Sequence, residues 1–345
     1  MIDRIVIDNF KSIKHADVKL QQVNLLIGPN NSGKSNFLKS IIHLKDSIRG
    51  HSVSGILALQ NDNAELEKTG FILEDDKKKL NTNYSPSVVD LISSDNDRNY
   101  LLHFGLFLSN SRIYKPNFER ITYPYPIFKN DEIVLSDASN IPSFLQTALN
   151  KNRDIFNKIT KDLEHITSIF TDILIDNVEP QENNPNLNKE TKGKTFIRLG
   201  LKDKYGKQFW ADELSEGTIY FLALLCIIHQ PNPPKLLLLE EPERGIHPRR
   251  IKEIIDLIKQ LALEKDIQVI MTSHSPLVVN LFADEPESIF VFDMKDGFTD
   301  IKNLQTDIIE PTNKELQEKG IDSEKDYNIS LGDQWVYGLL GGVPV

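Results

Sequence analysis

Eight residues, Gly28-Pro29-Asn30-Asn31-Ser32-Gly33-Lys34-Ser35, constrain this chain more than any others. They fit the pattern G-x-x-x-x-G-K-[ST] in the context it requires. Before them runs VNLLIG, Val23 to Gly28, which reads as a strand; from Lys34 on, Phe37, Leu38, Ile41 and Ile42 share one side of an amphipathic helix. Gly28 and Gly33 let the backbone curl until successive N–H groups face inward. Those groups and the helix N-terminus form an anion site. Lys34 reaches the β- and γ-phosphates of a nucleotide, and the Ser35 hydroxyl is a ligand for Mg²⁺. A chance Gly/Asn turn would lack the flanking strand and helix.

A second stretch, Lys235 to Pro248, reads KLLLLEEPERGIHP. Four leucines running into two glutamates indicate a strand buried on both faces of a parallel sheet. Its carboxyl end is where open α/β sheets put their ligands. Glu240 suits a metal-side acid, and Glu241, one residue on, points elsewhere and suits the polarising of an attacking water. A third stretch, Thr272-Ser273-His274-Ser275, follows the apolar run IQVIM, so His274 stands at another strand end, within reach of a γ-phosphate. The fourth, Leu214-Ser215-Glu216-Gly217-Thr218, by itself reads only as a well-capped helix start.

From Pro234 the pattern alternates: strand KLLLLEE, helix from His247 to Leu263, strand IQVIMTS, helix from Pro276 to Phe282, strand SIFVFDM. That is the parallel α/β signature. Earlier, IDRIVIDNF reads as a strand, and TFIRLGL with FWADELSEGT as a hairpin leading into the helix near Ser215. Residues 61–82 are polar and charged, with KKK at 77–79 read as a solvated face. Residues 100–136 read as a small set of strands, 141–172 as helical without a sustained heptad, and 181–193 as a mobile loop.

The single cysteine, Cys226, lies in an apolar stretch and reads as core, so no intrachain disulfide forms and a reducing cytoplasm fits. The opening MIDRIVIDNFKSIK lacks the apolar core of a signal peptide. The longest apolar run, Ile219 to Ile228, falls short of the about 20 residues needed to span a bilayer, so no membrane association is expected. A net charge of −10 argues against a generally basic nucleic-acid binder and leaves a local basic groove open, with Arg244, Arg249 and Arg250 as its candidates.

Taken in order, the phosphate loop, LSEGT, the leucine strand with two acids and the strand-end histidine resemble the ATPase heads of the ABC superfamily. They resemble its soluble SMC/RecF-like branch and the related overcoming-lysogenization-defect ATPases. The opening IDNFKSIKHADVKL is similar to that branch's first strand pair. The resemblance implies an α/β P-loop NTPase with a mixed or parallel central sheet, an antiparallel β part and a helical insertion. It divides the chain into residues 1–45 (first half of the head), 46–172 (inserted β/helical lobe) and 173–345 (second half).

The same resemblance assigns roles. ATP is held by Asn30, Asn31, Ser32, Gly33, Lys34, Ser35 and Asn36, with Lys11 of NFKS as an added phosphate contact. The metal is held by Ser35 and Glu240. Glu241 is the catalytic glutamate and His274 the switch histidine. Ser215, Glu216 and Gly217 are the signature acting in trans, in a homodimer that sandwiches ATP and Mg²⁺. Three features depart from the pattern: Glu240 stands where Asp is usual, Glu216 where transporters carry Gly, and Gln60 is a Q-loop candidate by position only. The expected partners are a second copy and an effector or nuclease protein, with DNA left open, in bacterial defence or DNA repair. A nucleotide-gated scaffold with little turnover is the alternative; a transporter ATPase subunit ranks lower. A nuclease domain on this chain is not expected, because residues after about 300 contain no Asp-x-Asp. The tail LGDQWVYGLLGGVPV reads as a packed segment or a docking tail.

Overall fold

The computed structural model describes residues 1–48, 70–75, 78–83, 103–319 and 330–343. Gln60 lies outside them. Contacts divide the chain into two compact units: Met1–Ile113 with Lys235–Glu243 and Ile251–Val345, and Tyr114–Pro234 with Arg244–Arg250.

The main sheet of the first unit has six strands, in the order Phe298–Asn303, Ile289–Lys295, Val23–Ile27, Gln268–Ser273, Leu236–Glu240, Ile113–Tyr114. The strands from Ile289–Lys295 to Leu236–Glu240 run parallel, and Phe298–Asn303 runs antiparallel to its neighbour. Leu236, Leu238 and Leu239 are fully buried, as the unbroken apolar run requires of a strand covered on both faces. The helix Lys34–Ile48 lays Phe37, Leu38 and Ile41 on the sheet, in one core cluster with Leu26, Leu236, Leu238, Ile270 and Phe292. Phe37 meets Phe292 edge-on, with centroids 5.8 Å apart. The helix Pro248–Glu264 starts on a proline, whose missing N–H costs nothing in the first turn, and from Ile251 on it buries an Ile/Leu stripe.

A second, antiparallel sheet takes the order Ile13–Lys19, Arg4–Phe10, Gly70–Asp75, Lys78–Asn83. Its first two strands are the expected opening pair. The other two fall in, and one residue past, the stretch 61–82 read as polar and charged. They exist because Gly70–Asp75 pairs along Arg4–Phe10, with Val6 opposite Ile72, and a tertiary pairing of this kind leaves little local signal.

In the second unit, Phe196–Asp203 pairs with Phe170–Val178, Gln208–Trp210 and Tyr125–Pro126, all antiparallel. The helices Ile141–Lys151 and Arg153–Thr167 and the helix Glu216–His229 complete it. That last helix is buried from Gly217 to Ile228, with Cys226 fully enclosed, because it is apolar all round. The set of strands expected over 100–136 reduces, among the described residues, to Ile113–Tyr114 and Tyr125–Pro126, with helical residues at 103–108 and a short helix Phe118–Thr122. Pro116, Pro124 and Pro126 break any longer ladder. The loop 181–193 is pinned rather than mobile. Asn184 and Asn186 are buried and their side chains donate to Pro124 O at 2.9 and 3.2 Å, while Thr191 Oγ1 donates to Asn186 O at 3.0 Å.

The tail packs on the first unit. Its helix Leu331–Val336 buries Trp335, whose indole N–H donates to Gly342 O at 3.1 Å. Gly342 sits so close to the sheet that an added Cβ would lie 2.6 Å from Val291 Cγ1 and 3.5 Å from Gly28 Cα. The tail therefore backs the first glycine of the phosphate loop. We expect Trp335→Ala to cost about 3 kcal/mol in urea unfolding. The same variant should weaken binding of a fluorescent ATP analogue, because Gly342 loses its anchor.

Candidate nucleotide site

Parallel register builds the site. Glu240 pairs with Thr272, and Thr272 with Leu26, so three strands end together. The loops that begin at Gly28, Glu241 and His274 leave from one sheet edge.

Gly28 and Gly33 have φ of +145° and +102°. A Cβ at Gly28 would lie 2.3 Å from Phe292 O, and one at Gly33 would lie 2.1 Å from Thr299 Oγ1. Both positions require glycine for room as well as for φ. Lys34 folds into the loop and donates to Gly28 O at 2.8 Å and Pro29 O at 2.7 Å. Burial lowers its pKa to about 8, against the raising effect of Glu241 and Glu240.

The Ser35 hydroxyl donates to Glu240 Oε1 at 2.6 Å. One hydroxyl and one carboxylate, both hard oxygen donors at the mouth of a phosphate loop, fit Mg²⁺, which takes few protein ligands and keeps water and phosphate oxygens. Among the described residues no cluster of three His, Cys, Asp or Glu could form a protein cage. Glu241 has φ +50°, an uncommon left-handed conformation for a side-chain-bearing residue, held by its N–H donating to Thr272 O at 3.1 Å and Thr272 Oγ1 at 3.2 Å. Glu241 Oε1 lies 3.7 Å from His274 Nε2.

Residues 30–36, Glu240, Glu241, Thr272 and His274 line one cavity of about 630 Å³, within the usual range for ligand sites. Ser12 and Lys39 also line it. Lys11 does not: its ammonium lies 5.7 Å from the Phe10 ring centroid, and its pKa is lowered by burial and by Lys39. Sequence reasoning missed Ser12, Lys39 and Thr272. Ser12 follows Lys11 directly and accepts from Asn36 Nδ2 at 2.8 Å, and Lys39 stands one helical turn after Ser35, so spacing was the available signal.

Ser215, Glu216 and Gly217 line a different concavity, of about 340 Å³, with Gly245, His247, Arg249 and Arg250. Ser215 caps the helix Glu216–His229, its Oγ accepting from Thr218 N at 3.2 Å.

The fold is that of the P-loop ATPase heads of SMC proteins. The family model described as "AAA domain, putative AbiEii toxin, Type IV TA system" matches residues 65–280, and the chain belongs to that family. The match takes in LSEGT, the leucine strand and His274, and begins after the phosphate loop. Among solved structures, an SMC head bound to the C-terminal winged-helix domain of ScpA superimposes with a TM-score of 0.54 at 15% identity, covering 90% of this chain and 99% of that one. An SMC head with an extended coiled coil, bound to the C-terminal domain of ScpA from Pyrococcus furiosus, gives 0.51 at 13% identity, covering 92% and 99%.

Curated relatives match over short stretches. The uncharacterized ABC transporter ATP-binding protein YhcH of Bacillus subtilis is 33% identical over 25% of this chain and 26% of its own. The energy-coupling factor transporter ATP-binding protein EcfA2 of Staphylococcus epidermidis is 26% identical over 34% of this chain and 42% of its own. The chain thus spans well under half the length of these relatives. Among the described residues, no helix is long and apolar enough to cross a membrane.

The lowered pKa of Lys34 gives a test with opposite signs. Between pH 8 and the ordinary lysine value of 10.5 the unfolded chain holds the proton that the folded chain has lost, so this group makes the nucleotide-free protein more stable as pH rises through that window. Triphosphate needs the charged ammonium, so ATP affinity should fall as pH rises above about 8. Titrating a fluorescent ATP analogue from pH 7 to 9.5 should show that fall, and Lys34→Met should abolish it.

Proposed function

We propose that this protein binds and hydrolyses ATP with Mg²⁺ as a nucleotide-sandwich homodimer, and that its nucleotide state gates a partner protein or a DNA-related activity in bacterial defence or DNA repair. The observation that carries the reading is the convergence at one sheet edge of the phosphate loop, the Ser35–Glu240 hydrogen bond and the Glu241–His274 pair.

In this reading Lys34 leaves the carbonyls of Gly28 and Pro29 and contacts the β- and γ-phosphates. The loop N–H groups around Asn30, Asn31, Ser32 and Gly33 hold the phosphate chain. Asn36 keeps the start of the helix against Ser12. Ser35 and Glu240 hold Mg²⁺, which when bound neutralises phosphate charge. Glu241 orients the attacking water and accepts its proton; His274 contacts the γ-phosphate and carries charge that develops there. Ser215 and Gly217, at a helix N-terminus, meet the γ-phosphate held by the other copy, and Glu216 stands between them. Hydrolysis separates the heads, which turns chemistry into a conformational signal. The family's description as a putative toxin of a type IV system supports the defence-type role. Arg249 and Arg250, beside the signature residues, are where DNA contact is to be tested.

Glu241→Gln should lower turnover about 10²–10⁴-fold, measured as phosphate release, the range expected on removing a general base. Light scattering should show its mass doubling with Mg-ATP, and Ser215→Arg added to it should abolish the doubling. Hydrolysis by the wild type with no doubling in Glu241→Gln would sink the sandwich. No hydrolysis by the wild type, with doubling intact, would establish a nucleotide-gated scaffold instead.

A further inference from the structure

We propose that Glu243 is a positioning residue for this chemistry: it holds the turn that carries His274 in register with Glu241. The proposal rests on the reading above.

Glu243 follows Glu241 by two residues, with Pro242 between them. Proline fixes its own φ and stiffens the turn, so the two glutamates move as one piece. Glu243 Oε1 accepts from Ser273 Oγ at 2.6 Å and from His274 N at 3.2 Å, and Ser273 Oγ in turn accepts from Ser275 N at 3.0 Å. One carboxylate oxygen thus organises three consecutive residues after the strand Gln268–Ser273. The neighbouring rung is Glu241 N donating to Thr272. The two rungs fix both ends of the 3.7 Å approach of His274 to Glu241.

The other carboxylate oxygen, Glu243 Oε2, is buried with no hydrogen-bond partner. Burial raises the pKa of this carboxyl, partly offset by the bonds from Ser273 and His274, and the nearby charge of Glu241 raises it further. A half-satisfied buried carboxyl is a costly way to close a turn, since a neutral side chain would close it at a lower desolvation cost. Its justification is geometric: it spans from the Glu-Pro-Glu turn to the backbone of His274. Glu243 does not line the nucleotide cavity, so its removal should spare ATP binding.

The test is steady-state ATP hydrolysis with a parallel titration of fluorescent ATP. Glu243→Ala should lower kcat about tenfold to hundredfold, the scale of a slight misplacement of a catalytic group, with the ATP Kd unchanged. Glu243→Gln keeps an acceptor oxygen for Ser273 and His274 and should restore most of kcat. Ser273→Ala should show a smaller kcat loss, and combining it with Glu243→Ala should add less than the two losses together. A folded Glu243→Ala with wild-type kcat, or one whose only change is weaker ATP binding, overturns the proposal. Should Glu243→Ala not fold, Ser273→Ala decides: wild-type kcat in that variant overturns it equally. If His274→Ala hydrolyses ATP at the wild-type rate, the role given to His274 is wrong and the proposal falls with it. A loss in His274→Ala without one in Glu243→Ala removes only the positioning claim.

Discussion

The in-register pairing of Leu236–Glu240 with Gln268–Ser273, and of that strand with Val23–Ile27, is the constraint on which the rest depends. Each strand is mostly apolar, with Asn24 and Gln268 as buried polar exceptions, and each changes chemistry at its carboxyl end. A slip of one residue would turn every side chain to the opposite face. Glu240 would then lose Ser35, and Thr272 would lose the backbone of Glu241. The buried leucines fill the core on both faces, and since a slip would exchange Leu for Leu, the register is held by the polar strand ends, through the Ser35–Glu240 bond and the bonds from Glu241 N to Thr272.

Close approach sets a second condition. The phosphate loop lies so near Phe292 and Thr299 that Gly28 and Gly33 admit no side chain, and Gly342 also comes close to Gly28 and Phe292. Local backbone freedom and tertiary packing thus make the same demand at Gly28. Glu241 is the opposite case. It carries a side chain in a left-handed conformation, and the Thr272 acceptors that hold its N–H compensate the strain. The left-handed residue at the end of the buried strand opens the turn in which Glu243 reaches back to Ser273.

Most of the main sheet was legible, because its strands are unbroken apolar runs bounded by motifs with their own geometry. The phosphate-loop helix was legible for the same reason: Phe37, Leu38 and Ile41 repeat at helical spacing, and all are buried. What was not legible depends on partners distant in sequence. Gly70–Asp75 is a strand because Arg4–Phe10 offers it an edge. The Asn-rich loop is held because Asn184 and Asn186 reach carbonyls 60 and 66 positions earlier in the chain. In the site, the motif residues were legible and their supports were not. Ser12 and Lys39 are marked only by their spacing from motif residues, and Thr272 and Glu243 lie within the quoted stretches without a role until the strand ends are aligned.

The polar groups of the nucleotide site are also matched to one another without ligand. Lys34 is held by two carbonyls and Ser35 by Glu240. Each of these bonds occupies the group that phosphate or metal would engage, so the loop stays ordered at little net cost and exchanges one set of partners for a stronger, charge-assisted set. Such a site is pre-organised, and little of the binding energy is spent on ordering it. The unsatisfied atoms lie elsewhere: buried carboxylate oxygens of Glu243, after the catalytic strand, and of Glu216, in the signature, have no hydrogen-bond partner. Glu243 sits in the turn after the strand Leu236–Glu240, and Glu216 in the first turn of the helix Glu216–His229. A buried carboxyl oxygen without a partner costs free energy in this arrangement, and a rearrangement on nucleotide binding that supplied it a donor would recover that cost.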